Sequence, residues 1–315
     1  MRRNASATIV AAILLAAPLP GCGSGAPGAA AGPHDPGAGG GSPARFASDP
    51  LWDDGRAEVN AYEARVRRYG ARRAFTAYHI VVKEDLSREQ LVKADPGHAP
   101  DDLVAVLKLN QILEFRTGVY TYNQMASTFH DRVSMDLLKF SLTSFEWCGN
   151  TFKEYLRRGA SGTLHVHTYW DGMARADYNL PVGPDVFFYD ELPLRLRALP
   201  QEVGTSLVVR LVPPQIESRA PRPEVRSAAL RAVAEERVVV PAGAFASLRW
   251  ELRAGDGAPE SFWLGRAFPW PLLAWEKPDG GGLRLIASER LAYWELNRPG
   301  DEKRLPGRPA ATPGR

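Results

Sequence analysis

Cysteine is nearly missing from this chain: 315 residues hold two, Cys22 and Cys148. If Cys22 is modified, as argued below, no internal bridge can form and a disulfide framework is excluded. A dominant charge is missing too. The formal net charge is +3, falling to +1 (3 − 2) if Arg2 and Arg3 are removed by processing. No block of like charge stands out, which argues against nucleic acid as a partner. The longest apolar stretch, Ala5 to Leu19, is too short for a comfortable membrane span. There is no Gly-x-Ser-x-Gly elbow, no phosphate loop, no nucleotide fingerprint and no His-Glu-x-x-His. Gly280-Gly281-Gly282 lies between strand-like stretches with no helix following, so it reads as a turn. No internal repeat of roughly 20–50 residues is present.

The amino end carries the most specific signal. Arg2-Arg3, then the apolar stretch, then Leu19-Pro20-Gly21-Cys22 resemble a bacterial signal peptide over residues 1–21 ending in a lipobox. That resemblance implies cleavage before Cys22, lipidation of its sulfur and a membrane anchor; several acyl chains hold stably where one is marginal. Gly23, rather than aspartate, in the next position implies the outer membrane as the destination within the cell envelope. The Gly/Ala/Pro/Ser composition of residues 22–45 reads as a disordered tether. Residues 298–315 read as a frayed tail of similar character.

Residues 51–297 are the expected body, with 44% of the whole chain hydrophobic and 24% charged, enough for a sizeable core. Asp53 to Arg68 reads as polar helix or coil, since Val59, Tyr62 and Val66 recur at helical spacing. Short alternating stretches follow. Ala74–Lys83, Leu103–Leu109, Phe115–Tyr122, Val133–Trp147, Phe152–Arg157 and Thr163–Trp170 come first. Ser206–Val212, Glu235–Val240, Phe245–Arg253, Glu260–Leu264, Leu272–Glu276 and Leu283–Glu295 come later. Turn residues such as Gly159-Ala160-Ser161-Gly162 and Asp256-Gly257 separate them. Val186 to Leu199 breaks this pattern and reads as a short helix, with Asp185 or Asp190 as cap and Pro193 in its first turn. The expected fold is mainly β: an antiparallel curved sheet or incomplete barrel with one or two short helices. It divides into sheet halves at 51–183 and 200–297, with the helix between the halves or in the barrel mouth.

Three sets of residues carry chemistry. His165 and His167 alternate on one strand about 6.5–7 Å apart, a geometry that lets two imidazoles share a metal. A third ligand is needed, from His79, His130, Asp131 or Glu146; the competing reading is a plain polar face. Cys148 stands between aromatic-rich neighbours. It reads as a packed small hydrophobe unless a cation lowers its pKa and makes it a nucleophile. Glu146, between Phe145 and Trp147, needs a partner if buried, and Lys108, Arg116 and Lys139 are the candidates. Finally, the steps Trp250-Glu251, Trp275-Glu276 and Trp294-Glu295 read as tryptophan-in, glutamate-out alternation. With Tyr120, Tyr122, Trp147 and Trp170, the tryptophans are candidates for the wall of an apolar cavity.

Val106-Leu107-Lys108-Leu109-Asn110, Phe115 through Tyr122, and Ser144 through Gly149 resemble a family of uncharacterised bacterial envelope lipoproteins. Some members are labelled septum formation inhibitor Maf. That label implies a cytosolic α/β nucleotide pyrophosphatase, which an export signal and strand patterning do not fit. Val240 through Phe245 and Trp275 through Gly280 are similar to a periplasmic β-rich family with no assigned activity. The resemblance implies an envelope location and supplies no reaction. The leading functional expectation is a non-enzymatic binding or carrier module for an apolar or envelope-derived molecule. The alternatives are an assembly lipoprotein contacting another envelope protein and an enzyme, metal-dependent at His165 and His167 or thiol-based at Cys148.

Overall fold

Residues 57–62 are buried on both faces, and this decides how the chain begins. The structure, a computed structural model, describes residues 43–307. In it the expected helix or coil before Arg68 is strand β1 (Ala57–Arg68). A strand covered on both sides loses its period of two, so the chance helical spacing of Val59, Tyr62 and Val66 was the only visible pattern. The first half continues as a meander: β2 (Ala71–Ser87), β3 (Leu103–Thr117), β4 (Tyr120–Asp131), β5 (Leu137–Glu146), β6 (Gly149–Arg158), β7 (Ser161–Thr168) and β8 (Arg175–Leu180). The second half holds β9 (Val186–Phe188), β10 (Ser206–Val212), β11 (Arg226–Val240), β12 (Gly243–Ala254), β13 (Glu260–Gly265), β14 (Leu272–Glu276) and β15 (Gly282–Leu291).

All of these strands form one 15-stranded sheet, in the order β8-β7-β6-β5-β4-β3-β2-β1-β15-β14-β13-β12-β11-β10-β9. Every pairing is antiparallel except β9 with β10. The two halves expected from the sequence are therefore joined, β1 pairing with β15 from Ala57↔Leu291 to Arg65↔Gly282. The sheet is mainly β and not closed. Its two edge strands, β8 and β9, are joined directly by Pro181–Asp185, and Leu180, Phe188 and Val212 share one buried cluster. The sheet thus curls until its edges approach. Both edge strands are short, which limits exposed pairing groups.

The segment from Tyr189 to Ala198 fills the hollow as two 3₁₀ turns flanking the four-residue α2 (Leu192–Arg195). The helix expected over Val186–Leu199 thus starts later, after β9. Pro193 sits in its first turn. Asp190 accepts from the Gln215 backbone N–H at 2.7 Å, and Asp185 pairs with Arg210 at 2.6 Å. Every residue from Tyr189 to Ala198 is buried. Leu192 and Leu196 join the main core with Trp250, Phe262 and Leu264. Under Phe46 and Trp52, which belong to a separate buried cluster, Glu58 and Arg197 form a two-pronged ion pair, both contacts at 2.8 Å.

The body begins earlier and ends later than the sequence indicated. In α1 (Pro43–Ala47), Phe46 is buried against Trp52, whose indole N–H donates to the Phe46 carbonyl at 2.8 Å. At the other end β15 stops at Leu291, so Trp294-Glu295 falls in a 3₁₀ turn instead of a strand. There Tyr293 and Trp294 pack on the outer face of β1 and β2. Pro306 is buried, and a Cβ on Gly307 would stand 2.6 Å from Ala61; the tail as far as 307 is packed, not frayed. Cys22, the lipobox and the tether through residue 42 lie outside the described residues. Among the described residues no helix is long and apolar enough to cross a membrane.

Candidate functional site

A cavity of about 240 Å³ opens between the inner faces of β1–β4 and the turn joining β14 to β15. Strand pairing places its walls. Tyr62↔Ala77, Ala77↔Leu113 and Leu113↔Gln124 form one inward row. Asn60↔His79 and His79↔Gln111 form the next. The aromatic side consists of Phe75, Phe115, Tyr122, Tyr189 and Trp275. Phe115 stacks on Tyr122 with centroids 5.0 Å apart, and Phe75 lies 5.3 Å from Phe115. Opposite, Lys277 sits over both Trp275 and Tyr189, at 4.4 and 5.0 Å. Glu260 fixes these two rings by accepting from the Trp275 indole at 2.9 Å and the Tyr189 hydroxyl at 2.7 Å.

The floor is polar. His79, Gln111 and Asp190 are each at most 3% exposed, and all border the cavity. Gln111 donates to the Asp190 carbonyl at 2.7 Å. Burial pushes the Asp190 carboxyl up to about 6, against the pull of its backbone N–H donor and of Lys153. Burial pushes His79 down to about 3, so its ring is neutral at pH 7; it rests on Tyr62 and makes no hydrogen bond among the described residues. A neutral imidazole always has one donor and one acceptor nitrogen. The floor therefore offers hydrogen bonds to a guest.

A strap, Pro213–Val225, closes the side of the cavity toward β5–β8. Its hold is a hydroxyl row on the inner sheet face. Gln124 donates to Ser144 at 3.0 Å, Ser144 meets Ser218 at 3.3 Å, and the Thr151 hydroxyl donates to the Ser218 carbonyl. Lys153, 1% exposed, donates to the Gln215 carbonyl at 2.9 Å. Burial brings this ammonium down to about 8. No sequence signal marked Lys153, and Asp190 was marked only as a helix cap, not as part of a cavity floor; period-two alternation places Lys153 inward, but nothing local says what it meets.

The residues singled out from the sequence separate into four groups. Tyr122 and Trp275 line the cavity. Trp250 is fully buried in the core instead. Tyr120 and Trp147 stand at the sheet end above it, their rings stacked at 6.3 Å, and Trp170 lies under Arg219 at 5.6 Å. Inward tryptophan with outward glutamate holds for Trp250-Glu251 and Trp275-Glu276.

The Cys148 reading needs correction. Trp147 and Cys148 form the two-residue turn between β5 and β6, so Cys148 is exposed rather than packed. Glu146 accepts from the Cys148 backbone N–H at 2.5 Å and, by hydrogen bond and charge, holds the thiol above its ordinary pKa. That is the reverse of activation. Glu146 meets none of its expected partners: Lys108 pairs with Glu84 and Lys139 with Glu154. A two-residue turn offers its own backbone donors to the last strand residue, and those replace a cation.

His165 and His167 do share one face of β7, the outer one. His165 faces Asp177 at 2.8 Å and His167 is exposed. The third-ligand candidates lie elsewhere, His79 and His130 being buried inside. Among the described residues no three of His, Cys, Asp or Glu come together as a metal site. No protein-family model, no curated protein and no solved structure matches the chain, so the geometry of the cavity is what its function has to be read from.

Proposed function

We propose that this chain is a binding or carrier module for an amphipathic molecule of the cell envelope, held to the membrane through Cys22. The observation that carries the reading is the cavity with ring-lined walls and a hydrogen-bonding floor. A dry cavity of about 150 Å³ holds benzene, and drug-sized sites begin near about 300 Å³. A space of about 240 Å³ suits one end of a larger molecule, the rest leaving through the mouth. The aromatic walls favour an apolar segment. His79 and Asp190 favour a hydroxyl or amide at its inner tip. The resemblance to envelope lipoproteins and the lipobox support the same location, at the outer membrane.

The test is a titration with the fluorescent amine N-phenyl-1-naphthylamine, an apolar ring system with one N–H. The intact chain should brighten the dye saturably. Leu113→Trp, which fills the cavity from the β3 wall, should weaken binding by about tenfold or more, equivalent to about 1.4 kcal/mol. Its urea midpoint should stay near that of the parent. No saturable binding by the parent, or equal binding by a folded Leu113→Trp variant, would refute the carrier reading.

A further inference from the structure

The most exposed rings of this protein gather at one end. Tyr69, Trp147 and Tyr169 are 62%, 77% and 72% exposed. Each sits in a turn, β1–β2, β5–β6 and β7–β8 in that order. Val119, 77% exposed, occupies the β3–β4 turn between them. In a meander these turns share one end of the sheet, the end where Phe115 and Tyr122 border the cavity. Within the β1–β8 meander the connections at the opposite end expose Val92 and Val133 and no aromatic side chain; the exposed ring at that end among the described residues is Phe268, 39% exposed, in the β13–β14 connection.

The tips also carry more basic than acidic side chains. Arg67, Arg68, Arg72 and Arg73 flank the first, Arg116 the second and Arg175 the fourth, against Glu146 and Asp171. Tyr69 has φ +51° beside Gly70 at +72°, a turn that favours asparagine or glycine. A tyrosine held there is strained, and such strain concentrates where a side chain has a task. Tyr120 ties the row together, donating to the Tyr69 hydroxyl at 3.2 Å while stacking on Trp147.

We propose that these hairpin tips dock on an anionic phospholipid surface, with Tyr69, Trp147 and Tyr169 in the headgroup layer and the arginines on lipid phosphates. Tyrosine and tryptophan with one apolar and one polar edge are the side chains that settle at a bilayer interface. Basic residues beside them add attraction to anionic lipid. A protein partner fits less well. Strands lie about 4.8 Å apart, so the tips form a spaced row along a sheet end, whereas a protein interface needs a continuous patch of about 800 Å² per partner. Docking in this orientation turns the cavity mouth toward the lipid. It goes beyond the carrier reading and does not require the cavity to be occupied.

The experiment uses the full chain carrying Cys22→Ser, which removes the acylation site and leaves Cys148 as the one thiol. Cys148, in the same turn as Trp147, is labelled with nitrobenzoxadiazole. Vesicles of phosphatidylcholine with phosphatidylglycerol should brighten and blue-shift the dye; phosphatidylcholine alone should do so weakly, and added salt should reverse the effect. Tyr69→Asn combined with Trp147→Ala should lower vesicle affinity about tenfold or more. Tyr69→Asn alone should raise the urea midpoint by relieving the turn, which separates display from folding. Unchanged affinity in the folded double variant would overturn the proposal. So would no response to anionic vesicles, including the case where the row instead captures a protein. Loss of dye binding in the cavity with vesicle binding intact would remove the carrier reading alone.

Discussion

Arg197→Met is expected to destabilise the protein by about 3–5 kcal/mol, because it strands a buried carboxylate. Arg197 and Glu58 are 2% and 4% exposed at the side chain. Burial alone would raise the Glu58 carboxyl; the charge and hydrogen bonds of Arg197 outweigh it and hold Glu58 below the usual carboxylate range. Asn60 adds a donor to Glu58 at 2.7 Å, and Arg197 also donates to the Pro269 carbonyl at 2.9 Å. The guanidinium lies over Phe46 and Trp52, at 5.2 and 5.7 Å. One side chain thus joins the interior helical segment, β1, the Phe268–Trp270 loop and the first buried residues of the chain. Combining Arg197→Met with Glu58→Leu should recover much of the loss, since apolar replacement of a whole buried pair is often neutral. Urea unfolding of the single and double variants gives the coupling directly. A loss below about 1 kcal/mol for Arg197→Met would mean the pair is solvated like a surface one.

Stability is expected to fall between pH 6.5 and 8 by on the order of 2 kcal/mol, with Glu191 as the cause. Burial pushes this carboxyl up to about 8 against the pull of Arg195. It accepts from the Phe188 backbone N–H at 3.1 Å, with His130 at 3.6 Å. Burial, with Arg195 adding to it, brings His130 down to about 3, so both partners are neutral at pH 7. The folded pKa of Glu191 lies above its unfolded value, so the unfolded chain releases the proton first and stability drops from about 4.5 to about 8. Asp190 acts in the same sense up to about 6. The neutral, buried His79 and His130 act oppositely below 6.5, where the unfolded imidazoles take up protons. These slopes offset one another below about pH 6; above 6.5 Glu191 dominates the fall, and the buried Lys153 ammonium, brought down to about 8, opposes it near and above pH 8, where the unfolded chain keeps the proton that folded Lys153 gives up. Glu191→Gln keeps an acceptor for Phe188 and should abolish the fall between pH 6.5 and 8, leaving the variant more stable than the parent at pH 8.5. Parallel curves for the two proteins would contradict this assignment.

Strands with one wet face were legible from sequence, and so was the break at Tyr189–Ala198. Alternation in Thr163–Trp170 gave β7 (Ser161–Thr168), and an aspartate-rich start with Pro193 marked the interior helical turns. β1 was not legible, because Glu58 and Asn60 look like solvent residues until Arg197, 139 positions away, is placed beside them. β8 was missed for a related reason: Arg175–Leu180 is an edge strand with four of its six residues polar or charged. Of the cavity, Tyr122 and Trp275 were foreseen. Its floor was not, since His79, Gln111 and Asp190 meet only through sheet register and the interior segment. The reverse error appears at His165 and His167: alternation gave them one face, but only curvature says that the face is the outer one.

The most direct measurement is native mass spectrometry of the protein purified under mild conditions from the cells that make it. The account predicts a fraction with added mass from a single small amphipathic molecule, in addition to any acyl groups at Cys22, and loss of that mass in Leu113→Trp. A parent protein with no such adduct, or one retained unchanged when the cavity is filled, would contradict it.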